Sequence, residues 1–231
     1  MSKICSIMQP TYLPWIGYFN LIHSSDFFVF LDDVQFSKQS WQNRNKILIK
    51  KKIHWLTIPV IKKRLEDRIY QIKIDDTQKW RKKHIKSIKQ NYFNHKYFND
   101  LEIILELIND KEMNYLLDLN ISIIKAISGA LDIKSSKFLL SSKLNKTGSR
   151  SEKLLKIIKE LNCDVYLSPE GSRNYIESDL ILKKSGIKIV YQNFKLKKYE
   201  QKNSINHISH LSVIDIIANI GLKNCKKFIK G

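Results

Sequence analysis

The sequence of 231 residues has few of the residues that mark several classes of protein. Its seven Gly and four Pro are too few for a collagen-like or low-complexity chain, and its 43% hydrophobic content argues against disorder. The three cysteines, Cys5, Cys163 and Cys225, lie far apart and form no C-x-x-C pair. Such a sparse, odd number predicts a reducing compartment and argues against a disulfide framework or a zinc ribbon.

Long uncharged apolar runs are also absent. No run approaches the roughly 20 residues that an α-helix needs to cross a bilayer. The first apolar stretch is interrupted by Gln9-Pro10 and by Pro14, and no small-residue cleavage site follows, so it lacks the pattern of a signal peptide. We expect a cytoplasmic protein with no transmembrane segment; the alternative location is the inner face of the membrane, where lysines would contact anionic lipid.

Acidic residues are scarce relative to basic ones. The chain has 41 Lys+Arg against 22 Asp+Glu, a net charge of +19, and only 6 of its basic residues are Arg. The excess of Lys, Ile and Asn indicates AT-rich coding bias, so the lysines alone predict no nucleic-acid site. The charge is concentrated in residues 41–96, at +13, whereas residues 9–33 are charge-poor and rich in aromatic residues and proline. That composition is typical of a pocket wall and equally of a core.

Hydrophobic patterns predict an α/β fold. Strand-type and helical patterns alternate, as in the series helix 151–161, strand 165–167, helix 179–185 and strand 187–191. This alternation favours a mostly parallel, Rossmann-like sheet flanked by helices. Residues 77–131 have helical patterns throughout, so we predict a helical insertion or subdomain there, within a single domain over residues 1–231. The last helix is predicted at 213–220, where Gly221 stops it.

The segment 9–19, QPTYLPWIGYF, directly follows the first predicted strand. In an open parallel sheet, loops after the carboxyl ends of strands form the ligand crevice. Two prolines fix the shape of this loop, and its aromatic side chains offer stacking faces. A helix that begins near Trp15 would point backbone N–H groups at an anion. The segment is equally compatible with a stiff turn that packs aromatic residues into the core.

Paired acids follow the buried strand predicted at 27–31. Asp32 and Asp33 at the end of a strand could hold ribose hydroxyls, a metal or an amine, and capping a turn is the alternative, which fits Asp33 better. Arg44 lies between two asparagines, where a guanidinium suits a phosphate or carboxylate, although a structural role stays open. Arg173 is an equally unexpected arginine in the loop 168–175.

The histidines allow two interpretations. His84 lies on an apolar helical stripe with Trp80 and Ile88, which is typical of a core histidine and also compatible with a base. His207 and His210 have H-x-x-H spacing, but no cysteine or third histidine lies nearby, so we predict no metal site. The sequence also lacks the P-loop, the dinucleotide-binding glycine motif, the nucleophile elbow and H-E-x-x-H.

Longer motifs carry a resemblance to a known family. The segments are IMQPTYLPWIGYF, FLDDVQFSKQSWQNRNKI, WLTIPV, KKHIKSIKQNY, YLSPEGSRNYI and SHLSVIDIIANIG. In this order they resemble the WbqC-like protein family over nearly the whole chain. Members typically lie among genes for O-antigen, lipopolysaccharide and other surface glycans. The resemblance implies a transferase that forms an amide, by N-acyl or N-aminoacyl transfer, on a nucleotide-linked amino sugar. One departure is Glu170, where a second proline is expected.

These observations together define a candidate site. The candidate bases, which would take a proton from the attacking amine, are Asp32, His84 and His210. The candidate substrate-binding residues are Gln9, Thr11, Tyr12, Trp15, Tyr18, Gln35, Trp41, Asn43, Arg44, Asn45, Ser168, Gly171, Ser172 and Arg173. The expected partner is a TDP- or UDP-linked amino sugar, and the expected acyl donor is acyl-CoA, aminoacyl-tRNA or ATP with a free acid. The alternative is a non-catalytic protein that binds a sugar nucleotide or a nucleic acid such as tRNA.

Overall fold

The computed structural model describes residues 2–62, 64–133, 137–144, 147–148, 150–178, 180–202 and 204–230. Residue 179, where one predicted helix begins, lies outside this part of the chain. The strands are β1 (Ile4–Met8), β2 (Phe27–Phe30), β3 (Arg44–Ile49), β4 (Lys52–Thr57), β5 (Val60–Ile61), β6 (Lys73–Ile74), β7 (Lys137–Leu140), β8 (Val165–Ser168) and β9 (Lys188–Tyr191). The helices are α1 (Ile16–His23), α2 (Trp80–Tyr92), α3 (Glu102–Asn109), α4 (Leu116–Ala130), α5 (Arg150–Glu160), α6 (Arg173–Ser178), α7 (Leu180–Lys183), α8 (Val213–Ile220) and α9 (Leu222–Ile229).

A five-stranded sheet organises the fold, with the strand order β7-β2-β1-β8-β9. All of its pairings are parallel, and their registers place Met8 beside Phe30 and Ser168 beside Tyr191. This confirms the predicted α/β fold with a Rossmann-like parallel sheet. The chain passes from β1 to β2 on one side and from β8 to β9 on the other, so the strand order reverses between β1 and β8. Loops diverge at such a point and leave a crevice at the carboxyl ends of the strands.

Helices cover both faces of the sheet because side chains alternate along each strand. On β1, Cys5 and Ile7 join a buried cluster with Ile157 of α5 and Ile176 of α6. On β2, Phe28 and the other residues of its face join the larger cluster, to which α1, α2, α3, α4, α8 and α9 contribute. The sheet is therefore buried on both faces, as apolar parallel strands require.

The predicted helical segment lies between β6 and β7. Its stripe of Trp80, His84, Ile88 and Tyr92 is buried along one face of α2, as four-residue spacing predicts. The apolar side chains of α2, α3 and α4 share one continuous cluster with α1. Whether residues 77–131 form a subdomain of a single domain stays a prediction.

An antiparallel hairpin of β3 and β4 lies beside the main sheet. Its register runs from Arg44 opposite Thr57 to Ile49 opposite Lys52. The turn residues Lys50 and Lys51 have φ of 46° and 67°. β3 is largely buried, whereas β4 is exposed at every position except Leu56. The hairpin therefore presents one strand to solvent.

The helix predicted at 213–220 is confirmed, but the prediction that it is the last helix was wrong. α8 has those bounds, but α9 follows directly after Gly221. Gly221 has φ of 79°, and a Cβ there would lie 2.6 Å from the ring of Tyr97, so only glycine permits this tight connection. The buried pair Cys225 and Ile229, four residues apart, lies among lysines that conceal the helical pattern. Over the described residues, no helix combines the length and apolarity needed to cross a bilayer.

Candidate functional site

A cavity of about 1170 Å³ opens at the carboxyl ends of β1, β8 and β9. Residues that follow each of these strands line it, among them Gln9, Pro169 and Gln192. The cavity thus lies where the strand order reverses between β1 and β8, the position at which open α/β sheets bind ligands. A second cavity of about 380 Å³ lies between α2 and α3, and none of the candidate site residues lines it.

Asn45 of β3 holds the loop after β1 in place. Its amide nitrogen donates to the carbonyl oxygens of Tyr12 and Leu13, at 3.0 and 2.8 Å. Leu13 has φ of 46°, in the left-handed region that costs energy for a branched side chain. The Tyr12 N–H donates to the carbonyl oxygen of Trp41, at 2.9 Å. Residues of β3 and of the segment before it therefore stabilise a loop conformation that the loop's own sequence disfavours.

Trp15 forms one wall of the cavity. Its indole lies across Gly17, where a Cβ would be 2.2 Å from the ring, so any larger residue at 17 would displace it. The ring centroid is 4.5 Å from that of His210 and 5.6 Å from that of Phe194. Gly17 therefore serves close packing of the indole, and the packed rings give this wall a fixed shape.

Thr11 presents an unused polar atom to the cavity. The residue is only 8% exposed, and its Oγ1 is buried without a hydrogen-bond partner among the described residues. Most buried polar groups have partners, so a hydroxyl without one in a cavity wall suits a ligand. Gln9 lies beside it, with its side-chain oxygen accepting from the amide of Gln42 at 2.8 Å.

His210 is the one candidate base that lines the cavity. Burial lowers its pKa, and the positive charge of Lys46 lowers the pKa further. The imidazole is therefore neutral at pH 7 and can accept a proton. Its backbone has φ of 58°, so His210 occupies a conformation that is uncommon for residues other than glycine and asparagine.

An ion pair stands at the exposed rim of the cavity. Arg173 Nε and Nη2 donate to the two carboxylate oxygens of Glu170, at 2.6 and 2.9 Å, and Nη1 donates to Glu177 at 3.2 Å. The guanidinium lies 3.9 Å from the centroid of the Tyr191 ring. Hydrogen bonding to Arg173 lowers the pKa of Glu170, and the same bond raises the pKa of Arg173. Glu170, the departure from the expected motif, thus ties this loop to α6.

Asp32 lies outside the cavity, fully buried at the end of β2. Its Oδ1 accepts from the backbone N–H of Ser142 at 2.9 Å, and its Oδ2 accepts from the Ser142 hydroxyl at 2.6 Å. The Ser141 hydroxyl contacts both Asp32, at 2.9 Å, and Asp33, at 2.5 Å. Lys153 of α5 pairs with Asp33 at 2.5 Å. This polar cluster joins the ends of β2 and β7 and leaves no carboxylate oxygen of Asp32 facing the cavity.

His84 is also buried away from the cavity. Its Nδ1 lies 3.0 Å from the hydroxyl of Tyr12, and its ring centroid is 5.0 Å from that of Trp80. Burial, the main cause, lowers the pKa of His84 to about 4, and burial also raises the pKa of Tyr12. The two side chains therefore form a neutral polar contact inside the core.

The structure brings part of the predicted site together at the cavity and places the rest elsewhere. The predicted residues that line the cavity are Gln9, Thr11, Trp15, Tyr18, Trp41, Asn45, Gly171, Ser172, Arg173 and His210. Those that do not line it are Tyr12, Asp32, Gln35, Asn43, Arg44, His84 and Ser168. Gln35 and Asn43 also make structural hydrogen bonds: the Gln35 amide donates to the Leu65 carbonyl, and the Asn43 amide donates to the Ile58 carbonyl. That any of these residues contacts a substrate stays a prediction.

Sequence reasoning missed the wall that follows β9. Gln192, Asn193 and Phe194 line the cavity, and the Gln192 amide donates to the carbonyl of Gly17 and to Asn20, each at 2.7 Å. These residues follow a predicted strand, so the carboxyl-end rule that selected the loop after β1 would have found them. No group of three or more metal-ligating side chains occurs within the described ranges.

Comparisons with known proteins identify a family. The family model described as the WbqC-like protein family matches residues 9–227. An uncharacterized protein of Mycobacterium tuberculosis (strain ATCC 25618 / H37Rv), Rv1507c, is 29% identical to this chain over 224 residues. The alignment covers 96% of this chain and 95% of that protein. No solved structure matches the chain.

Proposed function

The chain belongs to the WbqC-like protein family, and we propose that it is a transferase that forms an amide on the amino group of a nucleotide-linked amino sugar. The product would enter a surface glycan such as O-antigen. One observation carries the proposal: the large cavity lies at the reversal of strand order between β1 and β8, and its wall holds a hydroxyl that has no partner among the described residues. Nucleotides bind at this position in Rossmann-like sheets.

The size of the cavity supports a reaction between two substrates. Its volume of about 1170 Å³ exceeds the roughly 300–1,000 Å³ that is typical of a site for one small ligand. A transferase must hold the amino sugar and the acyl donor at the same time, with the reacting atoms in contact. A cavity that takes both satisfies this requirement.

His210 is the base in this proposal. The neutral amine attacks the carbonyl carbon of an activated acyl group, an N–C bond forms, and the bond from carbon to the leaving group breaks. The amine gives up one proton, which the neutral imidazole accepts, and the leaving group takes up a proton in turn. Of the candidate bases, Asp32 and His84 are fully engaged in buried contacts, so we assign them the positioning of the β2 end and of Tyr12.

Residues of the inner wall and of the rim of the cavity would bind the acceptor, the nucleotide-linked amino sugar. The free Oγ1 of Thr11 would exchange a hydrogen bond with a sugar hydroxyl or a phosphate oxygen. The side chain of Arg173 would hold the diphosphate, since a guanidinium matches phosphate oxygens in geometry and charge. Because Glu170 occupies two of its donors, binding requires the diphosphate to compete with that carboxylate or to use the remaining N–H groups.

The test combines binding and turnover. The purified protein is incubated with TDP- and UDP-linked amino sugars and each donor class, and mass spectrometry detects the amide product. His210→Gln should bind the sugar nucleotide, measured by calorimetry, with less than a threefold change in affinity while turnover falls by about 100-fold or more. The matched control is His207→Gln, because His207 packs against Tyr199 and does not line the cavity.

Three outcomes would count against the proposal. Full turnover in His210→Gln would exclude His210 as the base. Binding of the sugar nucleotide without product from any donor would favour the non-catalytic alternative. Absence of binding to both TDP- and UDP-linked amino sugars would overturn the substrate class.

A further inference from the structure

The β3–β4 hairpin and the segment before it carry an aromatic surface that extends from the cavity out to solvent. Trp41 is 46% exposed and Trp55 of β4 is 43% exposed, and their ring centroids are 5.3 Å apart. We call these two residues the tryptophan platform. Trp41 also lines the cavity, so the platform continues directly into it. Exposed indoles side by side suit planar ligands, because every nucleobase offers a π-face for stacking.

Two cations lie against the platform. The Arg44 guanidinium is 4.2 Å from the centroid of Trp55, and Lys46 Nζ is 5.3 Å from that of Trp41. Arg44 Nε is buried and has no hydrogen-bond partner in the described part of the chain. A guanidinium that is stacked on an indole with an unused donor is prepared for an anion such as a phosphate.

The segment of sequence that contains the platform and the hairpin has charges of one sign only. Residues 34–65 contain no Asp or Glu, although the chain has 22. Coding bias adds lysine everywhere, but it does not explain the loss of acids from one segment or the exposure of two tryptophans there. The hairpin is therefore complementary to a polyanion with planar bases.

The turn of the hairpin extends the basic surface away from the cavity. Lys50 and Lys51 both have positive φ, at 46° and 67°, in a two-residue turn where asparagine and glycine are the usual residues. With Lys52 they place three cations at the tip. Lys50 lies four residues along the strand from Lys46, about 13 Å away at roughly 3.3 Å per residue. The basic strip from tip to cavity is therefore longer than one nucleotide, which favours a polynucleotide over a mononucleotide such as a coenzyme.

We propose that the hairpin binds the single-stranded 3′ end of an RNA that carries the acyl group as an ester. Bases stack on the tryptophan platform, the lysines of the turn contact upstream phosphates, and the terminal ribose reaches the cavity. The inference rests on the proposed function, whose donor it specifies. In the transfer, the amine attacks the ester carbonyl carbon, the N–C bond forms, the bond from carbon to the ribose oxygen breaks, and that oxygen takes the proton.

Binding of a fluorescein-labelled eight-nucleotide single-stranded RNA tests the inference by anisotropy. The full-length protein should bind it in 150 mM salt and bind the matching duplex more weakly, with quenching of tryptophan fluorescence. Trp41→Ala and Trp55→Ala should each weaken binding by about fivefold to 150-fold, the range for loss of one base stack. Changing Lys50, Lys51 and Lys52 to Gln should reduce the slope of log affinity against log salt by about 2, since single strands give roughly 0.7 per phosphate contact.

The matched control replaces three exposed lysines at the C-terminal helix, Lys223, Lys227 and Lys230, with Gln. The charge change is identical, but these lysines lie on and beside α9, away from the platform. If this variant loses as much affinity as the turn variant, the binding is unspecific adsorption and the inference fails. Equal affinity for duplex and single strand also overturns it, as does quenching by acyl-CoA without binding of RNA.

Separate readouts keep the two proposals apart. Trp55→Ala and the turn variant should bind the sugar nucleotide with unchanged affinity, because Trp55 and the turn lysines do not line the cavity. Amide product from acyl-CoA in a protein that does not bind RNA would overturn this inference and leave the transferase standing. RNA binding that depends on the platform, in a protein that binds no sugar nucleotide, would overturn the transferase and leave the platform as a nucleic-acid site.

Discussion

The neighbouring strands β1 and β2 end at the same edge of the sheet, yet polar side chains line the cavity after β1 and not after β2. After β1, Gln9 and Thr11 line a cavity, and the Thr11 hydroxyl has no partner among the described residues. After β2, the carboxylates of Asp32 and Asp33 are saturated by Ser141, Ser142 and Lys153. Both loops follow an apolar parallel strand and both carry polar residues. Their position relative to the reversal of strand order accounts for the difference.

The physical reason lies in where the next strand goes. At the end of β1 the neighbour β8 sends its loop to the opposite face, so the two loops separate and leave a space. At the end of β2 the neighbour β7 continues into Ser141 and Ser142, which donate directly to Asp32. A carboxylate at the end of a strand is therefore available for chemistry only if the adjacent loop moves away from it. The following predictions test this contrast, beginning with the largest effect.

Asp32→Ala should reduce the free energy of unfolding by about 4 kcal/mol, because it removes a fully buried acceptor and leaves the hydroxyl and N–H donors of Ser142 unsatisfied. Urea denaturation followed by circular dichroism measures the change. His210→Gln, in the wall of the cavity, should reduce the free energy of unfolding by less than about 1 kcal/mol in the same assay. A loss below 1 kcal/mol for Asp32→Ala would show that the β2 end is not a closed structural cluster.

His84, like Asp32, is a candidate base that lies in the packed interior, and the pH dependence of stability tests whether it is closed to solvent. The pKa of His84 is about 4 in the folded protein against an ordinary value of 6.5, so the unfolded chain binds more protons between these values. Its contribution to stability is complete above pH 6.5 and is lost as the pH falls toward 4, about 3 kcal/mol in all. Denaturation at a series of pH values measures this slope.

The control for His84 is the variant His84→Asn, which keeps a polar group near the Nδ1 position that contacts Tyr12. The difference in unfolding free energy between the two proteins should change by about 3 kcal/mol from pH 7 to pH 4, while groups common to both cancel. A difference independent of pH would mean that the imidazole titrates normally and is reached by solvent.

Thr11→Val tests the loop after β1, where the cavity opens. The substitution removes a buried hydroxyl that has no partner in the described part of the chain, so the protein should gain about 1 kcal/mol in stability. If the hydroxyl serves a ligand, affinity for the sugar nucleotide should fall by about tenfold, the worth of one hydrogen bond. Calorimetry and urea denaturation measure the two effects. Thr57→Val on the exposed strand β4 is the control and should change neither. Lower stability with unchanged affinity would contradict a role in binding.

Gly171→Ala gives the smallest expected effect on folding. A Cβ at Gly171 would meet nothing within 4 Å, so stability should change by less than about 0.5 kcal/mol. The added methyl group narrows a cavity wall and should weaken sugar-nucleotide binding. Gly129→Ala in α4 is the matched control, also with open space, and should raise stability by about 0.5–1 kcal/mol without affecting binding. Equal affinity in both variants would place the ligand away from the loop after β8.

Local patterns predicted most of the secondary structure because each element has a clear apolar period. α8 has the predicted bounds, and the four-residue stripe of α2 is buried as expected. α9 was missed because its lysines conceal two buried residues. The site was harder to predict, since Asp32 and His84 have the residue types of a reactive site, but Ser142 and Tyr12 contact their polar atoms in the fold.

The sequence by itself determined the α/β class, the alternating helices and strands, the family resemblance and the exceptional loop after β1, because these depend on local periodicity and on residues adjacent in the chain. Only the tertiary structure decided which polar groups are free. Whether Thr11 has a partner depends on a hairpin more than 30 residues away and on β8 and β9 at the far end of the chain. Residues distant in sequence donate hydrogen bonds to the Asp32 carboxylate, whereas none of the described residues bonds to the Thr11 hydroxyl. No local pattern in the sequence predicts that difference.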